Sequence, residues 1–177
     1  MFLTNTSASM ATESIEKLAA ELAGSFEKVE QRRQSWQTAT KPLLMNKLQE
    51  ITEKIKLDWS VNLNDMLVNL ESVFISFNPI PSGIMEKSPI NVINKMQIGG
   101  FLSFSQTRNG QIVAWISMPL IEGLEEGPAQ NQTLETLEPE EIDDQTINNH
   151  VEKFLDEILQ WLNENRDEIG FARHLKP

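Results

Sequence analysis

From Thr12 onward, apolar side chains recur every three or four positions. Ile15, Leu18, Leu22, Val29 and Trp36 form one stripe, with Phe26 beside it, which is the period of an amphipathic helix. Thr12 can cap its start, Glu13 and Glu16 suit the positive end of its dipole, and Arg32 and Arg33 suit the other end. Residues 1–11 are small and polar and read as a flexible leader. The Thr38–Pro42 segment is expected to interrupt the rod, because proline cannot donate its N–H but is tolerated in a first helical turn. A second helix then carries Leu44, Leu48, Ile51 and Ile55 on one stripe. Neither stripe can stay in water. Each must pack on a sheet, on the other helix or on a second copy of the chain.

Near Trp59 the period falls to two. Trp59, Val61 and Leu63 alternate with Ser60, Asn62 and Asn64, as in a half-buried strand. Residues 65–70 fit no single pattern. Val73 to Phe77 make a short β-rich run that ends at a loop signal, Asn78-Pro79-Ile80-Pro81-Ser82-Gly83. Residues 84–98 are open between an edge strand and a short helix, and Gly99-Gly100 reads as a turn or bulge. Asn109-Gly110 between two apolar runs predicts a hairpin with a two-residue type I′ loop. That loop sets Phe104 opposite Trp115 and Leu102 opposite Ser117. Both faces of the hairpin then carry apolar residues, so cover is expected on both.

Residues 119–138 read as a long acidic loop. A last helix, 139–170, presents Ile147, Val151, Phe154, Leu155, Ile158, Trp161 and Leu162 on one face, with Gly170 as its terminator and Asp167 and Glu168 against its dipole. The expected fold class is α+β: two N-terminal amphipathic helices, a small antiparallel β-sheet with a central hairpin, and a C-terminal helix. Beyond the leader, residues 12–177 form one domain: a helical part at 12–57, the sheet at 58–118, the loop and the last helix. The four tryptophans each fall in an apolar pattern, and Trp115 and Trp161 are assigned to the core.

Composition narrows the function classes. The 177 residues include 40% hydrophobic and 23% charged side chains and no cysteine, an ordinary globular mixture without disulfides or thiolate metal sites. No stretch is apolar and long enough for a membrane span. Met1-Phe2-Leu3 is followed by polar residues without a basic n-region, so a cytoplasmic address is expected. The formal charge of −11 is unevenly spread. Residues 1–118 hold 11 basic and 11 acidic side chains, and residues 119–177 hold 4 and 15. A field of that sign repels phosphate backbones, which argues against nucleic acid and for a basic protein partner. The tentative partner-binding residues are Glu122, Glu125, Glu126, Glu135, Glu138, Glu140, Glu141, Asp143 and Asp144, although the same acids also serve as a solvated surface.

Catalytic motifs are missing. His150 and His174 are the only histidines and have no metal-ligand spacing; no nucleophile elbow, phosphate loop or calcium loop occurs. No cofactor or metal is expected. His150 reads as a boundary residue on the last helix, and Ser103 and Ser105 as small strand residues. The sequence therefore points to a non-enzymatic protein-binding or assembly module, with homodimerisation expected from the excess of apolar surface. The alternatives are a small-molecule-binding domain with a pocket between sheet and helices, and an enzyme using a carboxylate such as Glu71 or Glu86. The last requires a carboxyl whose pKa is raised in a dry pocket.

Overall fold

The N-terminal helix does not stop at Pro42. In the computed structural model, which describes residues 5–124 and 130–163 with side chains from Thr12, helix α1 spans Asn5–Ser35 and helix α2 spans Lys41–Lys54. Between them Trp36–Thr40 form a π-turn, closed by the Lys41 N–H donating to the Trp36 carbonyl. Ser35 and Lys41 keep helical dihedrals on either side, so α1 and α2 make one joined rod. A proline ring crowds the carbonyl four residues back. The wider π-turn lies just ahead of Pro42, and the chain passes it without ending the helix. At the other end α1 begins at Asn5, ahead of Thr12, so residues 5–11 belong to the helix.

Six strands follow: β1 Trp59–Asn64, β2 Ser72–Phe77, β3 Ile80–Lys87, β4 Val92–Gln106, β5 Ile112–Ile121 and β6 Asn131–Leu137. They form one antiparallel sheet in the order β1-β2-β4-β5-β6, with β3 paired to the first half of β4. Two expectations change here. The proline-rich run after Phe77 is a two-residue break at Asn78-Pro79 and then strand β3, which like β2 runs antiparallel to β4 and whose register shifts between Pro81 and Met85; proline is tolerated there because β3 is an edge with a bulge. Half of the acidic loop of 119–138 is strand, since β5 runs to Ile121 and β6 occupies 131–137.

The β4–β5 hairpin also closes differently. The ladder pairs Phe104 with Ala114, Ser103 with Trp115 and Leu102 with Ile116, one residue away from the register of a two-residue loop. Gly110 N–H donates to the Thr107 carbonyl at 2.9 Å and Thr107 N–H to the Gln111 carbonyl at 2.8 Å. Gly110 has φ +81, and Asn109 is not among the positive-φ residues. This is a type I turn closed by a glycine bulge. The Asn109 side chain holds it, accepting from the Thr107 hydroxyl at 2.6 Å and the Gln111 N–H at 3.1 Å.

With that register, Leu102, Phe104, Ile112, Ala114 and Ile116 all face the helices and are fully buried. Trp36, Leu44, Leu48 and Ile51 from the rod meet them, as do Ile147, Val151, Phe154 and Ile158 from helix α3, Asp144–Asn163. Among the described residues all helical cover lies on this one face, and none of them supplies the cover expected on the other. The opposite face carries Ser72, Ser76, Ser103, Ser105 and Ser117 around Phe74, Phe101 and Trp115. Phe101 stacks edge-on against Trp115 at 4.9 Å, and the indole N–H donates to the Ser105 hydroxyl at 2.9 Å. Trp115 and Trp161 are therefore half-buried outside the core, whereas Trp36 and Trp59 are in it. Helix α3 begins at Asp144 after a 3₁₀ turn at Pro139–Glu141. Gly170, Asp167, Glu168 and His174 lie outside the described residues.

Candidate functional site

The acidic residues singled out from the sequence are mostly engaged within the chain. Glu138 receives Arg32 at two points, Nε to Oε2 at 2.6 Å and Nη2 to Oε1 at 2.5 Å, and accepts from Gln111 Nε2 at 3.1 Å. The Arg32 hydrogen bond holds the Glu138 carboxyl below its ordinary value, against a smaller opposing pull from burial. Glu141 accepts from the Glu138 N–H at 2.7 Å, and Glu140 from the Ser35 hydroxyl at 2.5 Å. Asp143 caps α3 by accepting from the Thr146 N–H at 2.7 Å, which lowers its pKa. Asp144 meets Lys47 at 3.3 Å, and Glu135 lies 3.4 Å from His150 Nε2. Glu122 is exposed in the turn after β5. Glu125 and Glu126 are outside the described residues. The acids thus fasten α1 and α2 to the start of α3, and among the described residues they form no single concave acidic site.

Glu71 stands where the π-turn meets the sheet. It is 4% exposed, and its carboxylate accepts from Trp36 Nε1 at 3.0 Å, Gln37 Nε2 at 2.8 Å and Lys41 Nζ at 2.8 Å. Burial pushes its pKa up, but Lys41 and the two neutral donors outweigh this and the net shift is downward. Glu86 is exposed and also lowered, by its hydrogen bond to Lys95. Neither carboxyl is held protonated, as a general acid would need. The sequence marked Glu71 but not its partners, which the π-turn and the start of α2 bring to it from 30 to 35 positions away.

His150 is buried. Its Nδ1 lies 2.7 Å from the Thr146 carbonyl, and its ring packs edge-on against Phe104 at 5.5 Å. A shallow polar groove beside it is lined by Thr133, Glu135, Asn149 and Lys153. Among the described residues, no three His, Cys, Asp or Glu side chains group as metal ligands, and no helix is long and apolar enough to cross a membrane.

The strongest surface feature is α1. From Thr12 to Lys28 every side chain is exposed, including the apolar stripe: Ile15 at 66%, Leu18 at 61%, Leu22 at 55% and Phe26 at 66%. The helix reaches the body of the protein at Lys28, 3.9 Å from Glu138, and its first half-buried side chain is Val29. There the β4–β5 hairpin tip presses on it, with Arg32 Nη1 donating to the Asn109 carbonyl at 3.1 Å and Arg33 Nη2 to the Arg108 carbonyl at 3.4 Å. The stripe runs into a groove of ≈ 610 Å³ between helix and hairpin, lined by Phe26, Val29, Arg33 and Arg108. Arg33 and Arg108 were not marked from the sequence, and nothing local signals a pairing between residues 75 positions apart.

A second concavity, ≈ 360 Å³, lies between α3 and the start of β3. Phe77, Ile80, Leu155, Ile158, Leu159 and Leu162 give it apolar walls, with Asp58, Asn78 and Gln97 as polar points.

Compared with known proteins, the chain matches no family model, no curated protein and no solved structure. The functional reading rests on these surfaces alone.

Proposed function

We propose that this protein is a non-enzymatic protein-binding or assembly module that docks through the projecting half of α1. One observation carries this reading: four large apolar side chains on consecutive turns stand more than half exposed, and among the described residues none of them is buried. Most helical stability in proteins comes from packing an amphipathic face, and a face left open in this way is available to a partner. The acidic third is a weaker candidate surface for a basic partner, because most of its carboxylates already hold hydrogen bonds or ion pairs.

The test compares the tagged protein with a Leu18→Glu/Leu22→Glu variant in pull-downs from its own cells, read by mass spectrometry. The variant should lose the stoichiometric partner, whether a different chain or the protein itself, and keep its thermal unfolding transition. A variant that captures the same partners in the same amounts ends this reading.

A second reading is favoured by the apolar cavity beside α3: a small-molecule-binding domain. A specific ligand at about 100 times its Kd stabilises the fold by about 2.7 kcal/mol. A thermal-shift screen of apolar compounds would detect it, and Ile158→Trp, which fills the cavity, should abolish the shift. A screen with no hit that depends on Ile158 removes this reading.

A further inference from the structure

We infer that the sheet face turned away from the helices is a binding platform for a neutral polysaccharide, which lies on the rings of Phe74, Phe101 and Trp115. The platform shares no residue with the α1 stripe.

The ladder sets Asn62, Phe74, Ser103, Trp115 and Thr133 in one row across five strands. A row of five on either side adds only serine, asparagine and threonine, with Phe101 and Val113. In a chain with 23% charged residues, three rows of five would carry about three charged side chains. They carry none. A face that met only water would have no reason to exclude lysine and glutamate, which ordinarily occupy such positions.

The aromatic rings form a line. Phe74 lies 5.9 Å from Phe101 and Phe101 lies 4.9 Å from Trp115, centroid to centroid. All three are half-buried, so part of each ring is open. The polar groups beside them are already oriented. Asn62 Nδ2 donates to the Ser60 hydroxyl at 3.2 Å and to the Ser76 hydroxyl at 3.1 Å, and Trp115 Nε1 donates to the Ser105 hydroxyl at 2.9 Å. A hydroxyl that accepts an N–H keeps its own proton to donate. Apolar ring surface is thus flanked by hydroxyls and amides arranged before any ligand arrives.

This combination selects the ligand. Nucleic-acid bases stack on such rings, but a chain of formal charge −11 that offers no cation on this face repels their phosphates. An apolar ligand would strip water from the hydroxyls and return no hydrogen bond. A second copy laid face to face would stand about 10 Å away. Serine side chains do not span that gap, and protein interfaces are depleted in serine. A neutral sugar ring meets both demands: its C–H face covers an aromatic ring, and the hydroxyls at its rim exchange hydrogen bonds with serine and asparagine. From β2 to β5 the aromatic line is about 10 Å long, more than one sugar ring covers, so the ligand that fits is a chain of them.

The test is electrophoresis in native gels cast with dextran, galactomannan or hydroxyethyl cellulose, three neutral soluble polymers. At least one should retard the protein relative to a gel without polymer, and heparin, an anionic control, should not. Trp115→Ala should raise the Kd for that polymer at least ~10-fold and keep a thermal unfolding transition. Trp115→Phe retains a ring; it should keep most of the retardation and lose the change in tryptophan emission that the polymer causes in the wild type. Leu18→Glu/Leu22→Glu should be retarded as the wild type is, which separates this platform from the docking role of α1. No retardation in any of the three polymers, retardation by heparin alone, or a folded Trp115→Ala chain retarded like the wild type each overturns the inference. So does a dimer in sedimentation equilibrium that Trp115→Ala dissociates, which would assign the face to a second copy.

Discussion

The indole N–H of Trp36 donates to the Glu71 carboxylate at 3.0 Å, joining the π-turn to the residue that leads into β2. Trp36 is fully buried, so its N–H has no water to fall back on. Lys41 supplies the opposite charge at 2.8 Å. Glu71→Gln keeps the shape but removes the charge that Lys41 faces. We expect a loss of about 2–3 kcal/mol in urea unfolding, below the ~3–5 kcal/mol of a fully enclosed pair because Lys41 reaches solvent. A loss under ~0.5 kcal/mol would mean that the cluster does not hold the rod to the sheet.

The same carboxylate sets a pH dependence. Glu71, Glu138 and Asp143 all have folded pKa values below their ordinary ones. Depressed carboxyl values give stability that is fully present above the unfolded pKa and is lost as pH falls through the folded pKa. Stability should therefore be level with respect to these groups above pH ~5 and fall below about pH 4.5, the ordinary glutamate value. Glu71→Gln should flatten that fall in a series of melts. An unchanged slope in the variant would assign the acid sensitivity elsewhere.

Phe104 and Trp115 separate the two faces of the sheet. Phe104→Ala opens a cavity in the core and should cost ~3–5 kcal/mol. Trp115→Ala removes a half-buried ring and one hydrogen bond to Ser105 and should cost about 1–2 kcal/mol. Equal losses in denaturant unfolding would place Trp115 in the core and contradict the one-residue shift of the hairpin register.

Gly110 is where the hairpin tip meets α1. Its φ is +81, and a Cβ there would come within 2.8 Å of Arg32 Cβ and 3.2 Å of the Val29 carbonyl. Gly110→Ala combines backbone strain of about 1–2 kcal/mol with that contact, so a loss above ~2 kcal/mol is expected. Asn109→Ala, which removes the side-chain bridge across the turn, should cost about 1 kcal/mol. If Gly110→Ala is no worse than Asn109→Ala, the hairpin does not rest on the helix.

Gly24 lies on α1 opposite the apolar stripe, with open space where a methyl group would stand. Replacing it by alanine should raise helix stability by about 1 kcal/mol and leave the stripe untouched. Far-ultraviolet circular dichroism on heating should show the α1 signal persisting to higher temperature. A destabilised helix would mean that Gly24 faces a neighbour.

The α1 and α3 stripes, the alternation of β1 and the position of the β4–β5 hairpin were legible because each is written in a few consecutive residues. The register of that hairpin was not. Asn109-Gly110 serves a type I′ loop and a type I turn with a glycine bulge equally well, and the choice falls to Thr107 and Gln111, whose contacts with the Asn109 side chain close the wider loop. Strand β6 was hidden for a different reason. Asn131-Gln132-Thr133 and Glu135-Thr136 are polar because β6 is an edge, and edge strands are kept polar to deter further pairing. Of the candidate acids, the number was readable and the task was not: Glu138 is committed by Arg32, 106 residues away, and such a partner leaves no local trace. The exposure of the α1 stripe was equally silent, because an amphipathic pattern states that a face needs cover and not whether its own chain supplies it.

The fastening of α1 at Arg32 and Trp36 has a thermodynamic consequence for whatever it binds. Both anchors sit at the last turns of the helix, one on the loop before α3 and one on the residue before β2. The stripe from Ile15 to Val29 therefore leaves the body in a fixed direction, and a partner meets a surface whose orientation was settled when the chain folded. Much of the entropy that a tethered, swinging helix would lose on association has already been lost. Affinity at this surface should accordingly respond to changes at Glu71 and Glu138, which lie off the stripe, as well as to changes along the stripe itself.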